Sequence, residues 1–122
     1  TIAAGTIDAD AELYTDEKCA TIETPVDADN FLVWRVATAS TVTAMTCIVE
    51  NATSAIVVMS ECDTAGDTCV TIESVTCDTD GQADNGVDNA GLEATDWIRM
   101  DMGTVTGTPG HVTSCLTITR ND

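Results

Sequence analysis

The sequence predicts an all-β domain, an antiparallel β-sandwich or jelly roll held by disulfides, and three observations carry that expectation. Apolar and polar residues alternate in about six short stretches, the period of a half-buried strand, whereas the helical period is hard to find. Threonine occupies 22 positions and, with Val and Ile, favours pleated surfaces. Six cysteines are spread over a chain of 122 residues, an even number that in a small domain reads as a disulfide framework made in an oxidising space.

The elements follow in order. Residues 1–30 are more polar and less regular, an N-terminal arm or edge-strand segment in which Ile2–Ile7 and Glu12–Tyr14 are the strand candidates. Phe31–Ala37 alternates so that Leu32, Trp34 and Val36 share one side. Thr41–Val49 puts Met45, Cys47 and Val49 in phase, and Ala55–Ser60 is an apolar run suited to a buried strand. Cys69–Val75 places Val70 and Ile72 together. Asp96–Met102 turns Ile98, Met100 and Met102 inward and Trp97, Arg99 and Asp101 outward. Val112–Thr119 sets Val112, Leu116 and Ile118 on one face and threonines on the other. Asp63-Thr-Ala-Gly66-Asp67, Asp78-Thr-Asp-Gly81 and Gly107-Thr-Pro-Gly110 supply the turns between strands. No repeat or linker divides the chain, so residues 1–122 read as one domain.

With only Tyr14, Phe31, Trp34 and Trp97 as aromatics, packing rests on aliphatic residues, methionine and covalent staples. Six cysteines admit many pairings, and strand phase ranks them. Cys47 and Cys77 share faces with inward residues, which favours a core bridge between them. Cys62 and Cys69 flank a short loop and suit a hairpin closure. Cys115 falls among outward threonines, so its partner lies over the outer face, and Cys19 is the cysteine that remains. Zinc held by Cys62, Cys69, His111 and Cys115 is the rival, but no CxxC or CxxH pair exists and the Cys62–Cys69 spacing is wide for a zinc knuckle.

The formal net charge is −17, with 21 acids against 4 bases. Such a surface repels phosphates, which argues against nucleic-acid partners and anionic membranes. It favours solubility, and in salty surroundings screening shortens the reach of carboxylate repulsion. No run approaches the roughly 20 apolar residues that cross a bilayer, so no membrane insertion is expected. The first residue is Thr1, which implies a removed initiator or signal peptide.

Catalytic candidates are weak. His111 is the only histidine, with Ser114 near it in sequence alone, and a solvated loop position fits it better than a triad. Acid pairs for glycoside cleavage arise by chance among so many carboxylates, and aromatic sugar platforms are scarce. Asp78, Asp80, Asp84 and Asp88 offer hard oxygen ligands, but the ligand order of a calcium loop is absent, and an Asp/Gly/Asn turn explains them. No cofactor is therefore expected, calcium being the alternative. Asn51-Ala-Thr53 matches an N-glycosylation sequon. Trp97 beside Arg99 has the composition of an interface anchor.

Thr41-Val-Thr-Ala-Met-Thr-Cys47, Val75-Thr-Cys-Asp-Thr-Asp-Gly81, Met102-Gly-Thr-Val-Thr-Gly-Thr-Pro109 and Cys115-Leu-Thr-Ile-Thr119 together resemble small β-sandwich domains on the surface of tailed-phage particles, the head-decoration and tail-associated proteins. The resemblance runs from about Phe31 to Thr119; the cysteine number, the acidity and residues 1–30 depart from it. It implies a non-enzymatic structural subunit, extracellular or on a virion surface, whose partners are copies of itself and neighbouring structural proteins. A secreted filament or pilus subunit assembled by strand exchange is the alternative within that class. A calcium- or carbohydrate-binding module is the alternative outside it.

Overall fold

The computed structural model describes residues 15–51 and 53–121, which form nine strands and, among those residues, no helix. They are β1 (Thr15–Glu23), β2 (Asn30–Arg35), β3 (Ser40–Val49), β4 (Ser54–Cys62), β5 (Cys69–Cys77), β6 (Gln82–Asp84), β7 (Gly91–Leu92), β8 (Trp97–Thr106) and β9 (His111–Arg120). One sheet runs β1-β9-β3-β6, with β7 also paired to β3; the other runs β2-β8-β4-β5. Every pairing is antiparallel. The two sheets pack as a β-sandwich, the expected class. Within residues 1–30, Thr15–Glu23 is a regular edge strand; Ile2–Ile7 and Glu12–Tyr14 lie outside the described residues.

Alternation works as read in β3, β8 and β9. Met45, Cys47 and Val49 are buried, as are Ile98, Met100 and Met102, and Val112, Leu116 and Ile118. The inward rows meet between the sheets, and all four methionines sit in that core. Flexible thioethers fill the irregular space that large aromatics would otherwise occupy. Each fully buried Ile, Leu or Met side chain contributes about 1.5–3 kcal/mol from burial.

Bulges overturn two of the expected phases. β2 pairs with β8 through an irregularity between Leu32 and Trp34, so Leu32 lies opposite outward Arg99 and Trp34 opposite inward Ile98. One inserted residue reverses the face of everything beyond it. Leu32 is consequently 44% exposed while Val36 is buried, so Leu32, Trp34 and Val36 do not share a side. In β5, Ile72 is buried but Val70 is 56% exposed near the start of an edge strand, opposite Glu61. The register shift leaves Ile72 as the extra residue between Thr71 and Glu73, and Ile72 and Glu73 are both turned away from solvent. The Glu73 carboxylate accepts the Ser74 amide at 2.9 Å.

Three disulfides bind the sandwich. Cys47–Cys77 joins β3 to β5 and so crosses between the sheets through the core. Cys62–Cys69 links directly opposed residues of the β4–β5 hairpin. Cys19–Cys115 joins opposed residues of β1 and β9 with Cα atoms 4.0 Å apart. The pairs are those that phase favoured, but the third has a different geometry. Cys19 stands beside Cys115 on the adjacent strand of the same sheet, and no overlying segment is needed. All three cysteines of the zinc reading, Cys62, Cys69 and Cys115, are taken up in disulfides.

The Asp63 turn is built by its own acid. Asp63 accepts the amides of Ala65 at 3.1 Å and Asp67 at 2.9 Å, which lowers its pKa, and Gly66 takes φ +77° to close the loop.

Candidate assembly surface

Sandwich edges are where an antiparallel protein is open to another chain, because an edge strand presents unpaired N–H and C=O groups. Two of the four edges carry further chain among the described residues. The outer side of β3 carries the short strands β6 and β7. Beside β5, Asn89 donates its backbone N–H to Ile72 O at 3.1 Å and its side-chain amide to Thr71 O at 2.7 Å. The other two edges are β1 and β2, each with one strand neighbour among the described residues. The β1 edge is fastened to the body by Cys19–Cys115 and by threonine pairs across β1 and β9, Thr21 to Thr113 at 2.8 Å and Thr15 to Thr119 at 3.4 Å.

Trp97 and Arg99 share the outer face of the β2-β8-β4-β5 sheet, with Leu32 in register beside Arg99. Trp97 is half-buried, and its Nε1–H donates to Thr64 O in the β4–β5 loop at 3.2 Å. It lies opposite Cys62, which is fully buried. The Arg99 guanidinium bonds the Asp101 carboxylate at 2.9 Å. The face is therefore mixed, with one exposed leucine beside an indole and an internally paired arginine. Nearby, burial pushes the Glu61 carboxyl above its usual value, opposed by the Glu93 amide that it accepts at 2.7 Å and reinforced by Asp96.

His111 is a strand residue, the first of β9, and not the loop residue that its glycine neighbour implied. Nδ1 meets Glu50 at 2.5 Å and Nε2 lies 3.8 Å from Glu23. The Glu50 hydrogen bond raises the His111 pKa above the ordinary value; burial opposes it, and the charges of Glu50 and Glu23 add to it. Alternation sends Ser114 to the other face, where it is buried and donates to Thr46 O at 2.9 Å. Histidine and serine are thus on opposite sides of one strand, which removes the triad.

The Asp78–Asp88 stretch forms turns. Asp78 accepts the Asp80 amide at 2.9 Å and the Gln82 side chain at 2.7 Å, and Asp84 accepts the Gly86 amide at 2.7 Å. No three of Asp78, Asp80, Asp84 and Asp88 bring carboxylate oxygens within 4.8 Å of one another. Among the described residues, the one group that meets that separation is Glu17, Cys19 and Cys115, whose sulfurs are bonded to each other. Asn51 has φ +68° in the bend after β3, beside Gly110. The edge arrangement escaped the sequence reading because hydrogen bonds such as that of Asn89 leave no periodic signal.

No protein-family model matches this chain, and no curated protein matches it. Among solved structures, it is similar to a chain of the cyanophage Pam1 capsid asymmetric unit, with a TM-score of 0.45 and 16% identity over 90% of this chain and 86% of that one. It is also similar to a chain in the structure of infectious bursal disease virus Gx strain, with a TM-score of 0.44 and 8% identity over 89% of this chain. This chain spans 33% of that second chain.

Proposed function

We propose that this protein is a non-enzymatic structural subunit of an extracellular assembly, a surface protein of a phage particle in the decoration or tail class, and that copies join through the β1 edge. One observation carries the reading: among the described residues β1 has β9 as its one strand neighbour and is covalently fastened to it by Cys19–Cys115, while β3 carries β6 and β7 on its other side and β5 is met by Asn89 at Thr71 and Ile72. An open edge is ordinarily a liability, and fastening it makes it a firm template for strand addition. The sequence resemblance between Phe31 and Thr119 favours the virion over other assemblies. A secreted filament subunit is the second reading, favoured by three disulfides in so small a body.

Sedimentation of the full chain over a range of concentrations tests the proposal. Self-association is expected, and removal of residues 1–12 is expected to abolish it while the strand-type circular dichroism persists. A full chain that sediments as a monomer at every concentration and salt refutes self-assembly. A specific hit on a glycan array would move the reading to a carbohydrate-binding module.

A further inference from the structure

Three of the four basic side chains of this acidic protein gather at one place. A cavity of about 250 Å³ opens between β1 and β2, which are outer strands of their sheets among the described residues. Lys18 and Asp16 line it from β1, Trp34 and Arg35 from β2, and Arg120 from the end of β9. Three cations against one carboxylate make it a basic spot on a chain of net charge −17. Lys18 bonds Asp16 at 2.8 Å and stands 6.0 Å from the centre of the Trp34 ring. The Trp34 Nε1–H is buried with no acceptor, a state that folded interiors rarely keep. The cations lining the cavity are donors, and carboxylates are the acceptors that match them in charge.

The chain carries such a ligand. Immediately before β1 stands Asp8-Ala-Asp10-Ala-Glu12, with acids at every second position. In extended backbone these three carboxylates fall on one face, with alanines on the other. Only Leu13 and Tyr14 separate this stripe from Thr15 in the sequence. Presented by a second copy, that acidic face complements the cations of the cavity in charge. We infer that the cavity lined by Lys18, Arg35 and Arg120 is a socket for the Asp8–Glu12 segment of a second copy. This rests on the self-assembly reading above and names the contact that drives it.

Charge exchange between two full-length variants tests the socket. One carries Lys18→Glu, Arg35→Glu and Arg120→Glu; the other carries Asp8→Lys, Asp10→Lys and Glu12→Lys, positions that precede β1 in the sequence. Each alone is expected to associate at least about tenfold more weakly than the parent, and an equimolar mixture to recover association as mixed species only. Added salt weakens the parent association, as expected for exposed charge pairs. In a Trp97→Phe background, association shifts the emission of Trp34. A parent that associates while the Asp8, Asp10 and Glu12 reversals change nothing overturns the socket and keeps the subunit reading. A mixture that associates no better than its components also overturns it. A parent that never associates overturns both.

Discussion

Removing each disulfide in turn separates chain entropy from packing. In the loop-closure model the sequence separations of 96, 30 and 7 correspond to about 4.7, 3.6 and 2.4 kcal/mol for Cys19–Cys115, Cys47–Cys77 and Cys62–Cys69. Replacement by alanine also deletes buried sulfur, at about 1 kcal/mol for each atom in the core. Cys47 and Cys77 are both buried, Cys62 is buried with Cys69 less so, and Cys19 and Cys115 are partly exposed. The totals become about 5.6 kcal/mol for the core pair, 4.7 for the β1–β9 pair and 3.4 for the hairpin pair. At about 4 °C per kcal/mol the midpoints should separate clearly. Thermal melts of the three double-alanine proteins, followed by circular dichroism, measure the order. If loss of Cys62–Cys69 destabilises as much as loss of Cys47–Cys77, loop length and burial are not what the bridges act through.

Protonation of His111 should stabilise the fold. Its folded-state pKa lies above the ordinary 6.5, so the contribution is fully present below that value and disappears as pH rises through the folded pKa. The stability difference between the parent and His111→Gln, measured by denaturant titration across that range, should favour the parent in acid and vanish in base; an imidazole NMR midpoint below 6.5 would contradict this. Gly107→Ala should destabilise by at least about 1 kcal/mol, because φ is +81° and the added Cβ would stand 2.5 Å from Thr53 Cγ2. Gly91→Ala, with nothing within 4 Å, should stay within about 0.5 kcal/mol of the parent in the same thermal melts.

The sequence by itself determined the class of fold, most strand positions and the inward rows of β3, β8 and β9, because side-chain alternation is a local property of extended backbone. It also ranked the disulfide partners, since phase places cysteines on faces. Tertiary structure decided the rest. The bulge at Leu32/Trp34 depends on pairing with β8, and it moves Leu32 outward against an alternation that reads as unbroken. The placement of His111 against Glu50 and Glu23 joins positions from three strands' ends. Lys18, Arg35 and Arg120 are spread through the chain, and only the stacking of the β1 and β2 edges brings them to one cavity. Local pattern fixes which way a side chain points along its own strand; which strands become neighbours is set by the packing of two whole sheets, and the basic cavity exists only at that level.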